Sequence, residues 1–204
     1  MISLIDTTGT DCSKPMRSMF AARKAVFVDL LGWRLPVLDG QFELDQFDDA
    51  NARYLIVTDR DHGHLASARL LSTIRPHILD SLFPALCAGP VPRGPDTFEI
   101  TRFCLDRTLS AAGRRDARNR LVTALVEHAL VNGIRTYTGV ADSSWLAQIL
   151  KFGWDAAPLG QFLPDDGKRL AALRIHITAA TPALLEQTGM WSPIRPQRVD
   201  AAFA

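Results

Sequence analysis

Four charged side chains stand where the surrounding pattern calls for apolar ones. Arg23 falls in the stripe Met16, Phe20, Arg23, Phe27 and Leu30, whose spacing of 4, 3, 4 and 3 marks one face of a helix. Arg69 lies between Ala68 and Leu70 in an apolar run, and Glu99 and Arg102 interrupt the apolar stretch 97–106. An unpaired buried charge is costly, so each of these groups needs a partner or an opening to a cleft. The plainer reading is an Arg23 that snorkels at the edge of its stripe and a strand charge that faces solvent. In a regular strand an offset of three puts Glu99 and Arg102 on opposite faces, so both reach one site only if the strand bulges or splays.

The acids available for pairing are concentrated in Glu43-Leu44-Asp45-Gln46-Phe47-Asp48-Asp49. A calcium loop starting at Asp45 fails, because its sixth position is Ala50 and its twelfth Ile56, where glycine and glutamate are required. A solvated acidic loop is one reading. A polar cleft built from these carboxylates and the misplaced arginines is the other.

A second concentration of charge runs from Arg107 to Arg120, with five arginines and one acid, Asp116. Arg114, Arg115, Arg118 and Arg120 fall at the start of an expected helix, where cations oppose the helix dipole. A docked anion would make use of both the helix start and the arginines; a solvated charged turn is the bland alternative. Phosphate-loop, dinucleotide-binding and nucleophile-elbow motifs are absent. The five histidines show no metal-ligand spacing, and Cys12, Cys87 and Cys104 form no metal motif, so no metal is expected.

The elements that must position these residues follow from periodicity and punctuation. Strands are expected at 2–5, 53–59, 64–71, 97–106, 136–142 and 170–177, the second and third joined as a hairpin by Asp61-His62-Gly63. Helices are expected at 14–31, from Pro76 to about Leu86, at 116–131 ended by Gly133, at 144–152 behind an Asp142-Ser143-Ser144 cap, and from Thr181-Pro182 onward. Segments 32–50 and 89–95 read as loops. This order implies a single domain over 1–204, a three-layer α/β or α+β sandwich with one mixed sheet between helices, and a loose tail at 190–204.

The 204 residues amount to one domain. Lys+Arg 23 against Asp+Glu 22 leaves a net charge of +1, which argues against bulk nucleic-acid binding. Nineteen of those cations are arginines, a bias that suits carboxylate and phosphate handling or reflects GC-rich coding. With neither a signal peptide nor a membrane span in the sequence, a cytoplasmic protein is expected.

Taken together, Arg23, Phe27 and Trp33, the run Glu43–Asp48, Arg69-Leu70-Leu71, Phe83-Pro84, Phe98–Phe103 and, more weakly, Leu150–Trp154 resemble the acyl-homoserine-lactone synthases, the LuxI-type autoinducer synthases. The resemblance implies a fold related to the GNAT N-acyltransferases, with a mixed sheet that splays at the strand holding Glu99 and Arg102. The closely spaced glycines of ordinary GNAT enzymes are replaced here by Arg114–Asn119, as is typical of the synthases. It further implies a quorum-sensing acyltransferase without a cofactor, whose substrates are S-adenosylmethionine and a fatty acyl thioester on acyl carrier protein or coenzyme A. The α-amine takes the acyl group, and the methionine carboxylate then displaces 5′-methylthioadenosine to close the lactone.

On that resemblance Glu99 is the expected base, assisted by Arg102. Arg23, Phe27, Trp33, Asp45, Asp48 and Arg102 are expected to hold S-adenosylmethionine, and Arg69 to hold the acidic cluster. Arg114, Arg115 and Arg118 are expected to dock the acyl donor. Gly139 and Ala141 are expected to line the acyl pocket, where neither offers a side-chain donor; a one-residue slip would substitute Thr138, which does. An ordinary GNAT-type N-acyltransferase using acyl-CoA and another amine is the runner-up.

Overall fold

The computed structural model describes residues 3–8, 13–165 and 167–193. The chain opens with β1 (Ser3–Thr8) and α1 (Lys14–Arg23), whose winding loosens into a π-helical turn over Lys24–Leu30. Met16, Met19, Phe20, Arg23 and Phe27 share its buried face. Leu30, expected on that face, is 58% exposed, because the wider turn rotates it out of phase. Within the expected loop 32–50, β2 (Val37–Leu38) pairs with β3 (Phe42–Glu43) as a two-residue ladder.

The expected hairpin is β4 (Arg53–Thr58) and β5 (His64–Ser72). The helix expected after Pro76 is shorter: α2 (Ile78–Leu82) stops at Phe83, and Pro84–Leu86 continues as a 3₁₀ turn, since Pro84 has no N–H to extend the ladder. Then come β6 (Thr97–Leu105), α3 (Ala111–Asn132), β7 (Thr136–Asp142) and α4 (Ser143–Ile149). α3 begins five residues before the expected 116, where the Ser110 hydroxyl accepts the Gly113 N–H, and it ends on left-handed Gly133 at φ 68°. Asp142 caps α4 by accepting the N–H groups of Ser144 and Trp145. β8 (Asp155–Pro158) and β9 (Leu163–Asp165), too short and proline-marked to show a period, precede β10 (Lys168–His176) and α5 (Thr181–Gln187). Most of the expected loose tail, from 194 on, lies outside the described residues.

Among the described residues eight strands make one mixed sheet, ordered β1-β4-β5-β6-β7-β10-β8, with β9 also on β10. Neighbours are antiparallel except β6 and β7. α3, α4 and α5 cover one face over the large apolar core. α1 and α2 cover the other, on smaller clusters that include Met16, Phe20, Tyr54 and Leu71, and Leu79, Leu86 and Ala172. This is the expected three-layer, GNAT-like arrangement. The parallel pairing holds only for Thr97↔Thr136, Phe98↔Tyr137 and Glu99↔Thr138, and beyond it the two strands part. No described helix is long and apolar enough to cross a membrane.

Candidate functional site

The misplaced arginines and the acidic loop meet on the α1 face as a closed ring of alternating charge. Arg23 donates to Glu43 at 2.5 Å and in a bidentate fork to Asp48 at 2.8 Å. Arg69 forks onto Asp45 at 2.7 and 3.1 Å and lies 2.8 Å from Asp48. Arg102 closes the ring with Glu43 at 3.0 Å and Asp45 at 2.6 Å. Every cation thus bridges two acids and every acid two cations. Tyr54 Oη donates to Asp48 at 2.7 Å, and Arg69 Nε donates to Thr101 at 2.9 Å.

Burial alone would raise the Asp45 and Asp48 carboxyls. The arginines overcome it and hold both below the usual carboxylate range, through Arg69 with Arg102 for Asp45 and through Arg23 with Arg69 for Asp48. Oxygens of Glu43, Asp45 and Asp48 lie within 4.8 Å of one another, as in a metal site. Three guanidinium groups already neutralise them, which leaves no net negative charge for a cation. The ring is not uniformly buried. The side chains of Arg23, Glu43, Asp48 and Arg69 are at most 1% exposed, whereas Asp45 and Arg102 keep 6% and 9% and form its accessible edge. Arg102 also lies 5.7 Å over the Phe27 ring, which stacks on Trp33 at 4.9 Å and 21°.

A bulge brings Arg102 to this face. Against β5, Ser67 pairs with Cys104 and Arg69 with Thr101, so Arg102 and Phe103 together oppose Ala68. Arg102 takes φ 49°, a left-handed value uncommon for a non-glycine residue. The extra residue reverses the alternation: Glu99 and Thr101 precede it and Arg102 and Cys104 follow it on the α1 and α2 side, while Phe98, Ile100, Phe103 and Leu105 pack towards α3. Glu99 and Arg102 therefore share a face despite their offset of three.

Glu99 sits at the last paired position before β6 and β7 part. It is 0% exposed, and its Oε1 accepts the Leu79 N–H at 3.0 Å. Burial pushes its carboxyl up to about 7, against the opposing pull of the Leu79 and Ile78 amides and Arg69. A group poised there exchanges protons at neutral pH.

The residues expected to dock an acyl donor lie elsewhere. Arg114, Arg115 and Arg118, with Leu105, Leu109, Trp145 and Gln148, line a cleft of about 440 Å³ between the first turns of α3 and α4. That is the wide end of the splay, since Leu105 ends β6 and Trp145 follows the end of β7. Among the described residues these three arginines form no ion pair with an acid; Arg118 donates to Asn119 Oδ1 and lies 5.2 Å over the Phe152 ring. Gly139 and Ala141 share the α3 face with Tyr137, whose hydroxyl donates to the Leu125 carbonyl. Thr138 points the other way, beside Glu99 and Val140, and its hydroxyl is buried.

Glu43, Tyr54 and Thr101 belong to the network but were not singled out as site residues in the sequence. Glu43 carried a signal, flanked as it is by apolar Phe42 and Leu44. Tyr54 and Thr101 carried none, because both residue types are ordinary in strands.

Comparison with known proteins agrees with this architecture. The family model described as "Autoinducer synthase" matches residues 10–185. An acyl-homoserine-lactone synthase of Ralstonia nicotianae is 35% identical over 168 residues, covering 80% of this chain and 82% of that protein. The solved structure of TofI in a ternary complex with an inhibitor and MTA superposes with a TM-score of 0.75 at 30% identity, covering 93% of this chain and 97% of that one. A coenzyme-A-dependent acyl-homoserine lactone synthase, BjaI, solved with MTA, shares the fold with a TM-score of 0.83 at 22% identity, covering 97% and 95%.

Proposed function

Because the chain belongs to the autoinducer synthase family, we infer that it is an acyl-homoserine-lactone synthase. It transfers a fatty acyl group from a thioester to the α-amine of S-adenosylmethionine and closes the lactone with release of 5′-methylthioadenosine, a quorum-sensing signal being the product. The observation that carries the chemistry is Glu99, a buried carboxyl poised near neutrality where the sheet opens.

An α-amine with a pKa of roughly 7.7–8.0 is mostly protonated at pH 7. It must lose a proton before it attacks, and Glu99 is the base matched to it. Asp45 and Arg102, the accessible edge of the ring, take the ammonium and the carboxylate of the substrate respectively. Phe27 and Trp33 stand beside that edge and receive the sulfonium and adenosine by cation–π contact and stacking once they part from each other. Arg23 and Asp48, with their polar groups committed to the ring, act as posts that fix Glu43, Asp45 and Arg102 in place, and Arg69 holds Asp45 from the other side.

The acyl donor enters through the cleft of Arg114, Arg115 and Arg118, whose charge suits phosphate or an acidic carrier surface. Its chain lies on the α3 side of the splay against Gly139 and Ala141, and its carbonyl meets the amine at the opening beside Glu99. Neither step requires a cofactor. Incubation of the purified chain with S-adenosylmethionine and a hexanoyl thioester, followed by mass spectrometry, tests the assignment: N-hexanoyl-homoserine lactone and 5′-methylthioadenosine should appear in equal amounts. Acylation of another amine from acyl-CoA, without consumption of S-adenosylmethionine, would point to the GNAT-type alternative.

A further inference from the structure

We propose that Phe103 and Trp145 form a gate across the splay, through which the acyl chain threads tail first, and that this gate restricts the enzyme to unbranched chains. The inference rests on the reading of the chain as an acyl-homoserine-lactone synthase whose donor enters through the cleft of Arg114, Arg115 and Arg118.

The pairing of β6 with β7 ends at Glu99↔Thr138, yet the gap beyond it begins narrow. A Cβ on Gly139 would stand 3.1 Å from the Ile100 carbonyl oxygen, so the two backbones leave no room for a chain at that level. From there outward, along both strands and on into α4, the order is Ile100 and Gly139, then Phe103 and Ala141, then Leu105 and Trp145. The last two line the cleft. Phe103 and Trp145 therefore face each other from opposite sides of the gap, and they close it: their ring centroids lie 5.2 Å apart, with the planes at 44°. Both rings pack on the large core beneath α3, the side on which Gly139 and Ala141 also lie. A chain that passes from the cleft to Gly139 and Ala141 meets this contact on its way.

The two rings differ from the aromatic residues behind them. Phe152 and Trp154 are 4% and 6% exposed, and the Trp154 indole N–H donates to the Ile149 carbonyl at 3.0 Å. Phe103 and Trp145 are half-buried. The main chain of Trp145 is anchored, since its N–H donates to the Asp142 carboxylate at 3.0 Å, so opening falls to side-chain rotation. Phe152 backs Trp145 edge-on at 5.8 Å and 73°, which limits how far that ring can retreat.

Carbon atoms in contact lie ~3.5–4.0 Å apart, so a polymethylene chain between two rings needs them about 7–8 Å apart. The rings must part by about 2–3 Å from their 5.2 Å contact to admit it. A branched carbon needs a wider gap, against rings that the core supports from behind, and overfilling a packed site is unfavourable. A constriction of this kind selects by cross-section and leaves chain length free.

Hexanoyl and tert-butylacetyl thioesters test this, because the two acyl groups are isomers that differ in width. Wild-type kcat/KM should favour hexanoyl by about tenfold or more, the scale on which an apolar pocket rejects a misplaced methyl group. Trp145→Leu and Phe103→Leu, their folding checked by urea midpoints, should each narrow that ratio severalfold. KM for S-adenosylmethionine should stay within about twofold of wild type, because these residues do not contact that substrate. In the intact protein labelled with 5-fluorotryptophan, the Trp145 ¹⁹F signal, identified by its loss in Trp145→Phe, should shift when the hexanoyl donor is added. An unchanged hexanoyl to tert-butylacetyl ratio in the two variants, a loss of stability without a change of ratio, or a Trp145 signal indifferent to the donor would overturn the proposal. Failure of the wild-type protein to form N-hexanoyl-homoserine lactone would instead remove the reading on which it rests.

Discussion

With Glu99 proposed as the base, its environment makes two separable predictions. Glu99→Gln should keep the fold, since the amide oxygen can still accept from Leu79, while kcat falls by roughly 10²–10⁴-fold, the usual loss of a general base. A single-turnover assay of thiol release at pH 7.5 measures it; more than half of wild-type kcat would refute the role. The second prediction concerns stability. Burial raises this carboxyl to about 7, above its unfolded value, so between the two values the folded state binds more protons than the unfolded. Stability from this group therefore falls as pH rises from about 4.5 to 7 and stays low above it. Glu99→Gln should lose that dependence and gain on the order of 2 kcal/mol on wild type between pH 5 and pH 8, read from urea midpoints. Asp45→Asn, on the accessible edge, should lose most activity through KM for S-adenosylmethionine, and an unchanged KM would detach it from that substrate.

At the scale of elements, β6, β7 and α3 do separate work. The bulge in β6 aims Arg102 at the ring, and the parting of β6 from β7 opens the sheet beside Glu99. The first turns of α3 carry the cations of the cleft proposed for the acyl donor. Replacing Arg114, Arg115 and Arg118 together by Glu should raise KM for the acyl donor and leave that for S-adenosylmethionine nearly unchanged. Acids near a helix start favour the dipole, so α3 itself should survive. The wild-type donor KM should also rise with salt, because exposed charges are screened over about 8–10 Å. Identical donor KM values in the native and reversed proteins would remove this docking site. The α3 face of β7 offers Gly139 and Ala141, and Thr138 turns its hydroxyl to the opposite face. A 3-oxo carbonyl on the chain would be buried there without a side-chain donor, at a cost of roughly 1–3 kcal/mol. Unsubstituted donors should therefore outcompete 3-oxo donors of equal length by about 5- to 150-fold in kcat/KM. A preference for the 3-oxo donor would mean that Thr138 or a backbone amide reaches the chain.

For the whole molecule, the ionic ring is the tie between layers. It joins α1 through Arg23, β3 through Glu43, the loop that follows through Asp45 and Asp48, β5 through Arg69 and β6 through Arg102. Removing one member leaves a buried partner uncompensated. Asp48→Asn should therefore destabilise the protein by about 3–5 kcal/mol in denaturant unfolding. Asp45 and Asp48 are held below their unfolded values, so the stability they contribute is present above about pH 4 and is lost as pH falls through their folded values. The wild-type protein should lose stability on acidification below pH 4, and Asp48→Asn should lose less over the same range. An identical acid response in the two proteins would mean that the ring does not carry it.

Much of this was legible in the sequence because charge and apolar periodicity are local. Arg23 inside a helical stripe, Glu99 and Arg102 inside a strand and acids gathered in one loop already offered a buried polar site beside the plainer solvent-facing readings, since an unpaired charge does not persist in a core. The hairpin, β6, β7 and the order of layers followed from period and turn residues, and the ordered motifs pointed to the family. Partnership was not legible. That Arg23 meets Glu43 as well as Asp48 and that Thr101 reaches Arg69 depend on contacts across 20 to 32 residues, and Tyr54 joins Asp48 from six residues further along the chain. The face of Arg102 depends on one inserted residue that local propensity does not mark, and the faces of Thr138 and Gly139 depend on strand register. The sequence by itself thus determined which charged residues fall within apolar periods and so could build a buried polar site. The tertiary structure alone decided which charges neutralise one another and which carboxyl, Glu99, is left by burial with a proton to exchange.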